Sequence, residues 1–160
     1  MKKYILAGAL AISVLTLARG AEAANTPIQI AIIKPVQLFK ANTSVTGLRY
    51  NLIYGVNENL TGIDIGLVNK LTGSLSGIQA GFINCVDGNS TGWQDGFYNH
   101  TAGTMKGLQS GWINCAGNAK GVQFGLYNSA GTLYGLQVGL LNFNKSGKPM
   151  GFLPIVNFAF

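Results

Sequence analysis

Apolar residues alternate with small or polar ones along most of this chain, the period of a β-strand and not of a helix. The alternation comes in one recurring phrase: Gly, apolar, usually Gln, variable, Gly, apolar, apolar, Asn. It stands as Gly62-Ile-Asp-Ile-Gly66-Leu-Val-Asn69, Gly77-Ile-Gln-Ala-Gly81-Phe-Ile-Asn84, Gly92-Trp-Gln-Asp-Gly96-Phe-Tyr-Asn99 and Gly107-Leu-Gln-Ser-Gly111-Trp-Ile-Asn114. It continues as Gly121-Val-Gln-Phe-Gly125-Leu-Tyr-Asn128 and Gly135-Leu-Gln-Val-Gly139-Leu-Leu-Asn142, with degenerate copies opening at Gly47 and Gly151. The first glycines are separated by 15, 15, 15, 15, 14, 14 and 16 residues, a near-fixed period that defines a repeat architecture. Within a copy, residues such as Ile78, Ala80 and Phe82 share one face, while glycine, Gln and glycine share the other. Each copy therefore predicts a strand with one bulky, greasy side and one small, amide-bearing side.

A single copy is too short to fold alone, so neighbours pair either antiparallel through hairpins or parallel as coils of a solenoid. Opposing the middle positions, Ala80 against Asp95, centres the connection on Asp87-Gly88, a strong hairpin dipeptide. The same construction centres its neighbours on Thr72-Gly73, Ala102-Gly103, Gly117 and Gly131, and sets Trp93 opposite Trp112. Asp95 and Ser110 adjoin in either arrangement, so only the tryptophans discriminate. The expectation is an all-β fold, an antiparallel up-and-down β-barrel of about eight repeated strands; the alternative is a parallel β-solenoid.

Composition narrows the classes. With 10% charged and 48% hydrophobic residues, the chain fits neither a disordered tail nor a basic nucleic-acid module. Residues 1–23 read as a secretory signal: Lys2 and Lys3, an apolar run from Tyr4 to Leu17, and the small-x-small site Ala21-Glu22-Ala23. The formal charge of +6 then falls in the mature chain to eight bases against four acids. Residues 24–46 form a lead-in and 47–160 the repeat domain. After residue 23 no apolar run reaches the ~18 residues of a spanning helix, so a membrane location would call for a β-barrel.

The chain ends with Phe152, Val156, Phe158 and Phe160 on one face. This ending resembles the terminal strand of bacterial outer-membrane β-barrel proteins, and the resemblance implies recognition by the outer-membrane assembly machinery and insertion in a lipid bilayer. In such a barrel Arg49, Asp64, Gln79, Gln94, Gln109, Gln123 and Gln137 would face the interior and bond across it. Against it, the strictly apolar part of the outer face is ~14 Å tall where barrels show ~25 Å, and Asp95 would face lipid. Ile28 to Phe39, with Pro35 inside it, reads as an extra strand or as a cap over one end. The mature chain also resembles a family of bacterial surface-repeat proteins with a Gly-Leu-Gln-x-Gly-Leu-x-Asn repeat, through the copies above, Lys34-Pro-Val-Gln-Leu-Phe39, Thr46-Gly-Leu-Arg-Tyr-Asn-Leu-Ile-Tyr-Gly55 and Pro154-Ile-Val-Asn-Phe158. That resemblance implies an envelope or surface location and brings no activity with it.

Candidate chemistry is sparse. Cys85, His100 and Cys115 follow Asn in three consecutive copies; parallel coils would stack them as a soft-metal column, and antiparallel strands would disperse them. A bridge between the two cysteines would span two strand spacings, ~9.6 Å, beyond the ~7 Å limit for Cα atoms. The glycine phrase is not a phosphate loop, since no helix or GK[ST] follows. One histidine and four mature carboxylates at no pairing distance offer no catalytic set. The expectation is a non-enzymatic structural or surface-exposed outer-membrane protein without cofactor, metal or nucleic-acid partner. The alternative is a secreted β-solenoid module binding a polysaccharide or an envelope partner.

Overall fold

The computed structural model describes residues 25–160; the expected signal segment, 1–23, lies outside the described residues. The strands are β1 (Asn25–Ile33), β2 (Val36–Gln37), β3 (Ser44–Asn57), β4 (Leu60–Leu71), β5 (Leu75–Val86), β6 (Ser90–Phe124), β7 (Tyr127–Asn144) and β8 (Phe152–Ala159). They form one sheet in the order β2-β1-β3-β4-β5-β6-β7-β8. Every pairing from β1 with β3 through β6 with β7 is parallel, and only β1 with β2 and β7 with β8 are antiparallel. The chain is a parallel β-solenoid of about eight turns, not a barrel.

The register is a repeat laid on itself. Gly62 pairs with Gly77, Asp64 with Gln79 and Asn69 with Asn84, and the same positions match from β5 to β6. β6 carries successive copies without a break, and Gln94, Gln109 and Gln123 stack through side-chain bonds of 2.8 Å. The antiparallel hairpins expected from Asp87-Gly88 and its neighbours are absent: Gly73, Gly88 and Gly103 instead stack turn on turn, each donating its N–H to the carbonyl of the turn before, at 2.8 and 3.0 Å. Trp93 pairs with Ile78, not with Trp112. Asp-Gly satisfies a solenoid corner as well as a hairpin, because both need glycine where backbone meets backbone.

Identical residues stacked at one strand spacing build the interior. Buried apolar columns run through Val45, Leu60, Leu75, Met105, Ala119 and Leu133 on one side and through Val56, Leu71, Val86, Ala116 and Ala130 on the other. Ser90 and Thr101 interrupt them, bonded to each other at 2.8 Å, and divide the core into two clusters. Between the apolar columns lie two amide ladders. In the first, Gln79 donates to Asp64, Gln94 to Gln79, Gln109 to Gln94, Gln123 to Gln109 and Gln137 to Gln123, at 2.8 to 2.9 Å. Arg49 closes the start, giving Nε and Nη2 to the two oxygens of Asp64 at 2.8 and 2.5 Å, with both side chains fully buried. Thus Arg49, Asp64, Gln79, Gln94, Gln109, Gln123 and Gln137 line the inside of a solenoid and not the lumen of a barrel.

The second ladder runs from Asn51 through Asn69, Asn84, Asn99, Asn114 and Asn128 to Asn142, each donating forward to the next. Its donors point towards the C-terminus and those of the glutamine ladder towards the N-terminus. From Asn69 onward each asparagine also reaches a backbone carbonyl of the next coil, as Asn84 does with Asp95 O at 2.7 Å and Asn99 with Ser110 O at 2.8 Å, while Asn51 bonds Asp64 Oδ1 instead. That carbonyl sits where the strand bends, so the asparagine satisfies a group that the bend would leave orphaned.

Two caps end the stack. The segment after β1 turns back over the first coil, where Gln29 bonds both the N–H and the carbonyl of Phe39 at 3.0 Å. At the other end β8 reverses direction, and Asn157 donates to Gln137 at 3.3 Å to finish the glutamine ladder. Phe152, Val156 and Phe158, expected on the lipid face of a closing barrel strand, are exposed on this cap, as is Phe160 beyond it.

Candidate functional site: an exposed apolar wall and its trough

Because the amides fill the interior, the apolar residues of every copy are left outside. The position after the first glycine exposes Ile63, Ile78 and Trp93; the position after the second exposes Leu67, Phe82, Phe97, Trp112, Leu126 and Leu140. Trp112 keeps 59% of its surface and Leu140 63%. Chains that work alone in water rarely leave so continuous an apolar surface uncovered. Phe82 stacks on Phe97 with centroids 4.9 Å apart and planes at 12°, and Phe97 leans on Trp112 at 5.3 Å. Stacking along the solenoid axis turns the ring edges outward and hides the faces.

Towards the C-terminal end the wall opens into a trough of about 790 Å³. Its floor is the backbone of Gly111, Gly125 and Gly139, and its sides are Phe124 and Val138 against Trp112, Leu126 and Leu140. Ile155 of β8 closes one end; Asp95 and Ser110 stand at the other. The floor is glycine for a reason inside the molecule: a Cβ on Gly125 would run into the carbonyl oxygen of Gly111 and the amide of Asn114.

The polar end is ordered. Trp93 Nε1 donates to Ser110 Oγ at 2.8 Å, and Ser110 Oγ donates to Asp95 Oδ1 at 2.5 Å. Among the described residues the ion pairs are Lys70 with Asp87 at the surface and Arg49 with Asp64 inside, and Asp95 joins neither. Beside the wall, Lys106 and Lys120 stand exposed next to Tyr134 and Phe160.

The parallel stack brings Cys85 and His100 into register on neighbouring coils, with Cys115 in the equivalent place on the coil after. Among the described residues, however, no group of three or more His, Cys, Asp or Glu side chains converges as a metal site. Both cysteines are free. Burial pushes both thiols up; at Cys85 Lys70 opposes it and Asp87 adds to it, and at Cys115 Lys145 opposes it. Burial lowers His100, helped by Lys70 and opposed by Asp87, and its Nδ1 is buried without a hydrogen-bond partner. Burial thus disfavours the charged form of all three side chains, and the Tyr98 ring lies 6.3 Å from the imidazole. Sequence reasoning placed the amides and the apolar positions on opposite sides but missed the trough, since its walls come from residues one coil apart and only parallel stacking joins them.

No helix long and apolar enough to cross a membrane occurs among the described residues. Compared with protein-family models, curated proteins and solved structures, the chain matches none.

Proposed function

We propose that this chain is an exported β-solenoid binding module of a bacterial envelope, without catalytic activity, whose partner is a lipid surface met through the apolar wall. The observation that carries the reading is the outward placement of Leu67, Phe82, Phe97, Trp112, Leu126 and Leu140 in one uninterrupted column. Burying each against an apolar phase is worth about 1–2 kcal/mol, so a few residues together supply useful affinity. Lys106 and Lys120 beside the wall, and a mature charge of eight bases against four acids, favour an anionic headgroup layer. A polysaccharide is the poorer partner, because sugars stack on aromatic faces and here Phe82 and Phe97 present edges. The signal segment supports export and the surface-repeat resemblance supports an envelope location.

Flotation of the mature chain with phosphatidylglycerol-containing vesicles tests this. The chain is expected to float, and Phe82→Ser with Leu126→Ser to lose at least about tenfold in binding with an unchanged circular dichroism spectrum. A wild-type chain that stays in the dense fraction, or a variant that floats equally well, contradicts the reading.

A further inference from the structure

The wall carries one carboxylate, and its surroundings specify a ligand. Asp95 stands with Ser110 at one end of an apolar trough, one oxygen bonded to Ser110 and, among the described residues, in no ion pair. Covering it with lipid or protein alone would strand a charge, at a cost of several kcal/mol. An occupant that brings its own cation turns that cost into a charge-assisted contact. The neighbouring columns supply more of the same chemistry: the chain has two tryptophans, Trp93 on the coil of Asp95 and Trp112 on the next, and they flank the carboxylate column on its two sides.

Beyond the polar end the trough continues along the stack. From Asp95 to Ile155 it crosses four strand spacings, about 19 Å, over a floor of backbone glycine. That length suits a long extended chain. We propose that the trough binds a long-chain ammonium amphiphile, its cationic head at Asp95 beside Trp112 and its aliphatic chain along Gly111, Gly125 and Gly139 towards Ile155. The assignment rests on the reading of the wall as a lipid-binding surface and concerns only the trough that ends at Asp95, which shares no lining residue with the depression beside Lys106 and Lys120.

Both tryptophans report on the site, so intrinsic fluorescence of the mature chain is the readout. It is titrated with dodecyltrimethylammonium, dodecyl sulfate and dodecyl maltoside below their micelle concentrations, and with tetramethylammonium, while sedimentation velocity follows the mass. The expected result is a saturable shift with dodecyltrimethylammonium at constant monomer mass. The other amphiphiles and the chainless cation should bind at least about tenfold more weakly, and Asp95→Asn should lose about tenfold for the ammonium alone. Leu126→Ser, which thins one side of the trough, should weaken all the amphiphiles alike. Equal binding of the three head groups, or an Asp95→Asn variant that binds the ammonium as well as the wild type, overturns the ammonium assignment and leaves the lipid-binding wall standing. A fluorescence change that appears only as the mass doubles also overturns it, since a second copy then covers the trough. Failure of every amphiphile and of the vesicles overturns both.

Discussion

At the scale of single residues, the repeat is a set of steric and hydrogen-bonding requirements imposed once per coil. The first glycine adopts a φ that side-chain-bearing residues avoid, +122° at Gly92 and +121° at Gly107, and a Cβ at Gly92 would strike the carbonyl oxygen of Gly77. Gly92→Ala should therefore destabilise the fold by about 3 kcal/mol or more. Gly147, at φ 70° with open space around it, should tolerate alanine for about 1–2 kcal/mol. Chemical denaturation of the two variants side by side checks the contrast. The His100 imidazole gives a second residue-level test. Its lowered pKa means that the fold binds the proton less tightly than the unfolded chain, so its contribution is present above the ordinary value of 6.5 and is lost as pH falls through the folded value. The urea midpoint should decline as pH falls below about 6.5, and His100→Gln should flatten that limb. A limb unchanged by the substitution would assign the acid sensitivity elsewhere.

At the scale of an element, the ladders are chains of partners, and the position of a break decides its cost. Asn99 in β6 accepts from Asn84 and donates to Asn114 and to Ser110 O. Asn99→Ala takes the donor from Asn114 Oδ1 and from Ser110 O and should cost about 2 kcal/mol or more, read as a lowered denaturation midpoint. The Arg49 and Asp64 pair is different in kind, because it is a charged terminus of an otherwise neutral ladder. Removing Arg49 alone, as Arg49→Met, leaves Asp64 buried and uncompensated and should cost about 3–5 kcal/mol. Adding Asp64→Gln extends the glutamine ladder by one step, since Gln79 Nε2 already donates at that place, and should recover most of the loss. A double variant no more stable than Arg49→Met would show that the pair, and not the ladder, holds that coil.

The element scale is also where the sequence was most and least legible. Alternation around Ile78, Ala80 and Phe82 gives the strand, and the placement of Gln79 opposite them gives the inward amide. Direction was not readable from the turns, because Asp87-Gly88 suits a hairpin and a stacked corner alike. The ladder itself held the missing signal. With middle positions opposed in antiparallel strands, Gln79 would face Gly96, whereas parallel coils put it on Gln94, where two amides satisfy each other. A buried residue type repeated at one position in every copy is a stacking signature. The pairing of Trp93 with Trp112, which argued for hairpins, has its counterpart in the solenoid as two indoles on either side of the Asp95 column.

At the scale of the whole molecule, the solenoid separates two tasks. Amide ladders and small apolar columns hold the coils together from within, which frees the outer positions from any part in the core and lets them be apolar. The ends are managed separately. Pro27 lies on β1 ahead of the stretch that β2 covers and Pro154 lies on the edge strand β8, each removing a donor, while the chain between β1 and β3 folds over the first coil and β8 runs backwards over the last. These features discourage end-to-end growth of a sheet that otherwise has no reason to stop.

Everything at the larger scales follows from coils that run in the same direction and in register, and one distance reports on that. Ser76 and Thr91 are exposed, are paired in register between β5 and β6, and accept spin labels on a chain whose cysteines are replaced by serine. Parallel stacking sets their Cα atoms about 4.8 Å apart, whereas hairpin pairing with Ala80 opposite Asp95 would place them about 27 Å apart. Strong dipolar broadening in the continuous-wave spectrum of the doubly labelled chain is the predicted result; a resolved separation near the longer value would contradict the solenoid, the trough and the wall together.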